Sequence, residues 1–95
     1  MMRIEIICSQ AVEEDFMTMF EKEQDGVHFT KLPAVMGRGF SEPKLGDSVW
    51  PQLNMMFVIY CSKEMAVRIH DIVEQVRKLY PHEGIACFKS KAKIW

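Results

Sequence analysis

Residues 3–8 (Arg-Ile-Glu-Ile-Ile-Cys) are β-branched and partly alternating, a pattern that predicts a half-buried or central strand. Ser9 stands where a helix cap would, and Glu13, Glu14 and Asp15 follow in the opening turns, where negative charge suits the positive helix end. Val12, Phe16, Met19 and Phe20 then recur as one apolar stripe, which predicts a helix reaching about Glu23 and ending at Asp25-Gly26. Residues 28–35 read as a second strand, with Pro33 pushing it toward a sheet edge or a local distortion. Residues 53–61 form a third strand, apolar on both faces from Met55 onward, so both faces need cover. Ser62 caps a second helix whose stripe is Met65, Ile69, Ile72, Val73, Val76 and Tyr80, and Pro81-His82-Glu83-Gly84 stops it. Residues 85–92 are a last strand.

Between the second and third strands, residues 36–51 contain three Gly and two Pro and show no sustained period. A loop this long inside a small domain is uncommon unless it is disordered or functional, and Arg38, Phe40, Leu45 and Trp50 argue against plain disorder.

The order strand, helix, strand, strand, helix, strand is the ferredoxin-like βαββαβ arrangement, an α+β fold. It implies one domain over residues 1–95, a four-stranded antiparallel sheet in the order 4-1-3-2, and two helices on one face. The other face is left open, yet the third strand is apolar there, so a second copy is expected to cover it. Lys89, Lys91 and Lys93 alternate along the last strand, which suits an exposed edge where charge discourages unwanted pairing; the alternative is a phosphate-binding comb.

Composition narrows the class. At 95 residues, 48% apolar, a chain buries only about two-thirds of its unfolded surface, so its core calls for a helper. Three Cys without framework spacing argue against a disulfide scaffold and for a reducing cytoplasm, which leaves partner subunits or a metal. A net charge of -1 without a basic block gives no footprint for nucleic acid, and no apolar run is long enough for membrane insertion.

The topology gathers the end of strand one, the start of helix one, the loop 36–51 and the turn 80–84 at one end of the sheet, and a site is expected there. The helix N-terminus suits an anion. Gly37-Arg38-Gly39 resembles a fragment of a phosphate-cradling loop but lacks its third Gly and its Gly-Lys-Ser/Thr ending, and Arg38 and Lys44 could clamp a phosphate or carboxylate; the alternative is that the glycines only permit tight turns. Trp50 reads as an anchor for the loop base or as a stacking platform. His82 and Glu83 are candidates for ligand or metal binding, although no CxxC, HxxxH or HExxH spacing supports a metal site. Cys8 and Cys87 fall near each other and Cys61 at the far end, and all three read as small apolar residues. No catalytic triad or paired-carboxylate motif is legible, so an enzyme is not expected.

With these elements in place, the chain resembles the PII-like signalling proteins of the PII/CutA superfamily. The carriers are Val27-His28-Phe29-Thr30, leading into Val35-Met36-Gly37-Arg38-Gly39-Phe40, then Trp50-Pro51 before an apolar strand, and the turn Leu79-Tyr80-Pro81-His82-Glu83, which is similar to the turn ending the second helix in CutA. The resemblance implies a homotrimer with inward-facing sheets and ligand sites in intersubunit clefts. It also implies an adenine nucleotide or small anionic metabolite as ligand and a partner protein regulated through the loop; another alternative is a purely structural trimer whose loop docks a membrane transporter or enzyme. A CutA-like relationship would imply a divalent metal instead. The glycine- and lysine-rich phosphate loop of PII has no counterpart between Tyr80 and Phe88.

Overall fold

In a computed structural model that describes residues 1–39, 42–49 and 52–95, the chain forms four strands and two main helices. The strands are β1 (Met2–Ser9), β2 (Thr30–Val35), β3 (Asn54–Cys61) and β4 (Ala86–Lys91); the helices are α1 (Glu13–Lys22) and α2 (Lys63–Leu79). The sheet order is β2-β3-β1-β4, which is the expected order read from the opposite edge, and every neighbouring pair is antiparallel.

Alternation decides which side chains meet the helices. Ile4, Ile6 and Cys8 of β1 and Met55, Phe57 and Ile59 of β3 are buried with Phe16 and Phe20 of α1 and Ile69, Ile72, Val73 and Val76 of α2. Phe16, Phe20, Phe29 and Phe57 make a chain of tilted and edge-on ring contacts with centroids 5.0 to 5.9 Å apart, the geometry that the ring quadrupoles favour.

The strand signals fall where the pattern placed them, with ends moved by one or two residues. β2 lies at an edge, and its pairing with β3 shifts register between Leu32 and Val35, at Pro33, whose missing N–H cannot join a ladder. The Pro33 carbonyl instead accepts from Gln10 Nε2 at 2.6 Å.

The start of the first helix differs from expectation. Residues Gln10–Val12 form a 3-10 turn before α1 begins at Glu13. Ser9 Oγ accepts from the Ala11 N–H at 3.2 Å, and the Gln10 N–H donates to the Leu53 carbonyl at 3.2 Å. Donors that the sequence offered to an anion are thus taken by the chain itself.

On the face away from the helices, Ile7, Met56 and Val58 are half-buried, and Tyr60, Phe88 and Leu32 are exposed by 55%, 60% and 40%. The third strand is therefore apolar on its second face without cover from the described residues of its own chain. Among the described residues, no helix is long and apolar enough to cross a membrane.

Candidate functional site

At the end of the sheet where β2 stops and β3 starts, the loop folds back on itself. Gly37 and Lys44 exchange backbone hydrogen bonds, 2.8 Å from the Gly37 N–H and 2.6 Å from the Lys44 N–H, and Leu45 bridges Leu53. One of the loop's glycines is required by this geometry, and a second has a close side-chain neighbour. A Cβ at Gly37 would lie 2.7 Å from Asn54 Nδ2; Gly46 has φ +67° and a Cβ there would lie 2.8 Å from Leu53 Cδ2. A Cβ at Gly39 would meet nothing within 4 Å. A left-handed turn therefore requires glycine at Gly46, whereas at Gly37 only the Asn54 side chain opposes a Cβ.

Lys44 is only 8% exposed, and its ammonium donates to Gln52 Oε1 at 2.5 Å. Backbone rungs and this side-chain bond fasten the loop to the segment leading into β3. Arg38, one residue past the first rung, is exposed.

Across the sheet end, Arg77 positions the second component. Its guanidinium donates to the Ile85 carbonyl at 2.8 and 3.3 Å and pairs with Glu74 at 2.6 Å, tying the last turns of α2 to the start of β4. The Glu83 N–H donates to the Tyr80 carbonyl at 3.1 Å and closes the turn that carries His82 and Glu83. The Asp15 carboxylate beside the Tyr80 phenol holds its pKa up, which places the same turn next to the start of α1.

These components enclose one groove of about 780 Å³. Gly37, Arg38, Gly39 and Lys44 line one side, His82 and Glu83 the other, and Ile7, Met56 and Ala86 form the floor. Trp50 lies outside the described residues, as do Phe40, Ser41 and Pro51. Sequence reasoning missed Glu42 and Asn54, which also line the groove; Asn54 had a signal, as the one polar residue opening an otherwise apolar strand. The floor belongs to the open face of the sheet, so whatever covers that face borders the groove.

The start of α1 does not contribute: neither Ser9 nor Gln10 lines the groove. Cys8 is fully buried on the helix side, and burial, then Glu13 and Glu83, push its thiol up to about 12. Cys87 faces Ile6 across the ladder, on the same side of the sheet as Cys8, and burial raises it too, whereas Cys61 pairs with Met2 at the opposite end. None of the three is a ready thiolate ligand. Among the described residues, no three His, Cys, Asp or Glu side chains converge on a point where they could share a metal.

No protein-family model matches the chain, and no curated protein does at a significant level. Solved structures do. A structure described as a PII-like signalling protein from Thermus thermophilus superimposes with a TM-score of 0.65 at 17% identity, over 94% of this chain and 83% of that one. CPII, a nitrogen regulatory PII-like protein from Thiomonas intermedia bound to ADP, AMP and bicarbonate, superimposes with a TM-score of 0.68 at 15% identity, over 94% and 84%. The antiparallel order β2-β3-β1-β4, the helices packed on one face and these superpositions agree: the chain has the ferredoxin-like fold of PII-like signalling proteins.

Proposed function

We propose that this protein is a non-enzymatic, trimeric PII-like regulator of the cytoplasm that binds a small anionic metabolite or an adenine nucleotide in the groove between the loop 36–51 and the turn 80–84. The observation that carries the reading is the convergence of Arg38 and Lys44 with His82 and Glu83 on that groove. Arg38 is the ligand's first contact: it is exposed, always charged, and its planar fork suits phosphate or carboxylate. Lys44 adds positive potential from below while its bond to Gln52 holds the loop in place. His82 and Glu83 recognise donors and acceptors on the rest of the molecule. CPII, which shares the fold, was solved with two adenine nucleotides and bicarbonate, so these are the first ligands to try.

The open face supports the trimer, because β3 is apolar there. Packing three such faces together buries Met56, Val58 and Ile7, supplies the second layer that 95 residues cannot, and makes each groove a cleft between subunits. Ligand binding then alters the loop's conformation, and the loop reports the ligand to a transporter or enzyme. The divalent-metal alternative would use His82 and Glu83, with further donors from a neighbouring subunit.

A thermal-shift screen tests the reading. ADP, AMP, ATP, bicarbonate and 2-oxo acids are compared on the wild type and Arg38→Ala, with Zn²⁺ and Cu²⁺ on the wild type and His82→Ala. Stabilisation by an anion that Arg38→Ala abolishes supports the proposal; stabilisation by metal alone, lost in His82→Ala, favours the CutA-like reading.

A further inference from the structure

A second groove, of about 710 Å³, lies well away from the loop, between α2 and the free edge of β4. Its floor is apolar, with Met2, Ile4, Ala66 and Cys87, and Val67, 63% exposed, forms one lip. The charged side chains lining it are all cationic, Lys63 from α2 and Lys89 and Lys91 from β4, and the His70 imidazole lies among them. A carboxylate outside the lining, that of Glu74, lies 3.4 Å from His70 Nε2, and it is shared with Arg77 at 2.6 Å.

The ladder fixes how β4 presents itself. Met1 and Ala92 exchange both backbone bonds, the Ala92 N–H to the Met1 carbonyl at 3.0 Å and the terminal amine to the Ala92 carbonyl at 3.4 Å, so theirs is a hydrogen-bonded pair. The register continues without a shift through Met2–Lys91, Ile4–Lys89 and Ile6–Cys87. Because antiparallel pairs alternate, those three are non-bonded pairs, and the N–H and C=O groups of Lys91, Lys89 and Cys87 point away from β1, toward the open edge. Their side chains face the helix side, as those of Ile4 and Ile6 do. The residues that offer free backbone bonds are thus the same ones that carry the lysines into the groove.

We infer that this edge is a docking site for an extended acidic segment of a partner protein, added as a fifth, antiparallel strand. Charge selects the occupant. A second β4 would set lysines against lysines, which like-charge pairing disfavours, whereas carboxylates opposite Lys91 and Lys89 form cross-strand ion pairs. The register gives the recognised pattern. Read from the partner's N-terminus, residues opposite Lys91, Lys89 and Cys87 are acidic, any, acidic, any, apolar, with main-chain bonds supplying affinity and alternate side chains supplying specificity. Lys63 adds a further positive charge behind the two carboxylates.

The test uses fluorescein-labelled peptides containing Glu-Thr-Glu-Thr-Val or Lys-Thr-Lys-Thr-Val, the full-length protein, and fluorescence anisotropy with amide chemical shifts. The acidic peptide is expected to bind, to shift the amides of residues 87–91, and to lose at least about tenfold in affinity in Lys89→Glu/Lys91→Glu, as charge reversal at paired sites does. The reversed variant should then bind the lysine peptide, which shows that it is folded. N-methylation of the two glutamates, which blocks the ladder without touching charge, should abolish binding, and Arg38→Ala should leave it unchanged. Equal binding of the N-methylated peptide, tighter binding of a single-stranded oligonucleotide, or undiminished binding of the acidic peptide by the reversed variant would each overturn the inference.

Discussion

The ammonium of Lys44 donates to Oε1 of Gln52 at 2.5 Å, bridging the two sides of the loop above the backbone pair that joins Lys44 to Gly37. One lysine therefore shapes the groove as well as charging it. Removing its acceptor in Gln52→Leu should cost about 1 kcal/mol, the scale of a part-buried hydrogen bond. For a chain of this size that is a fall in Tm of about 4–8 °C. Differential scanning calorimetry reads it, and an unchanged Tm would mean that the bond does not hold the loop.

The glycines of the loop should separate sharply under mutation. Gly46→Ala places a side chain at φ +67° against Leu53 and should destabilise by about 1–2 kcal/mol, the cost of a left-handed L-residue. Gly37→Ala should also destabilise, because its Cβ would meet Asn54 Nδ2, and adding Asn54→Ala should recover much of the loss. Gly39→Ala should be close to neutral. Urea midpoints of the four proteins check the order.

Val58 pairs with Glu5 and Thr30 at the centre of the open face. If three such faces pack together, Val58→Asp buries unpaired charge in the assembly and leaves the helix-side core intact. Light scattering should show a trimer for the wild type and a monomer for the variant, with unchanged far-ultraviolet circular dichroism. A wild-type monomer at micromolar concentration would remove the trimer from the proposal.

The Cys8 thiol, at about 12 in the fold against 9.0 when unfolded, predicts a loss of stability on the alkaline side. The folded state keeps the proton that the unfolded state releases, so the contribution is intact below 9.0 and declines as pH rises toward about 12. Urea midpoints should fall across that interval, less steeply in Cys8→Ala. Native protein should also resist alkylation at Cys8 at neutral pH, measured by mass spectrometry after iodoacetamide.

The periodicity of the stripes made the fold legible, because Phe16, Phe20, Ile69 and Val76 can share a core only with the helices on one side of the sheet. The grouping of Arg38, Lys44, His82 and Glu83 was legible for a topological reason: strand directions alone bring the loop and the turn to one end. The state of the first helix's N-terminus was not, since the bonds from Ala11 to Ser9 and from Gln10 to Leu53 depend on local backbone geometry. Nor was the burial of Lys44, whose partner Gln52 is eight residues away across an aperiodic loop. The alternation of Lys89 and Lys91 marks β4 as an edge strand, its place in the sheet, but their direction toward α2 emerges only from the register with β1.

Isothermal titration calorimetry of ADP, AMP and bicarbonate, singly and together, into the wild type and Arg38→Ala tests the central claim most directly. Binding to the wild type at one site per subunit, at least about tenfold weaker in Arg38→Ala as expected for a lost charged contact, is the predicted result. Equal affinity in the two proteins would contradict the assignment of the groove, and no heat with any of these or with 2-oxo acids would contradict the anion-sensing function itself.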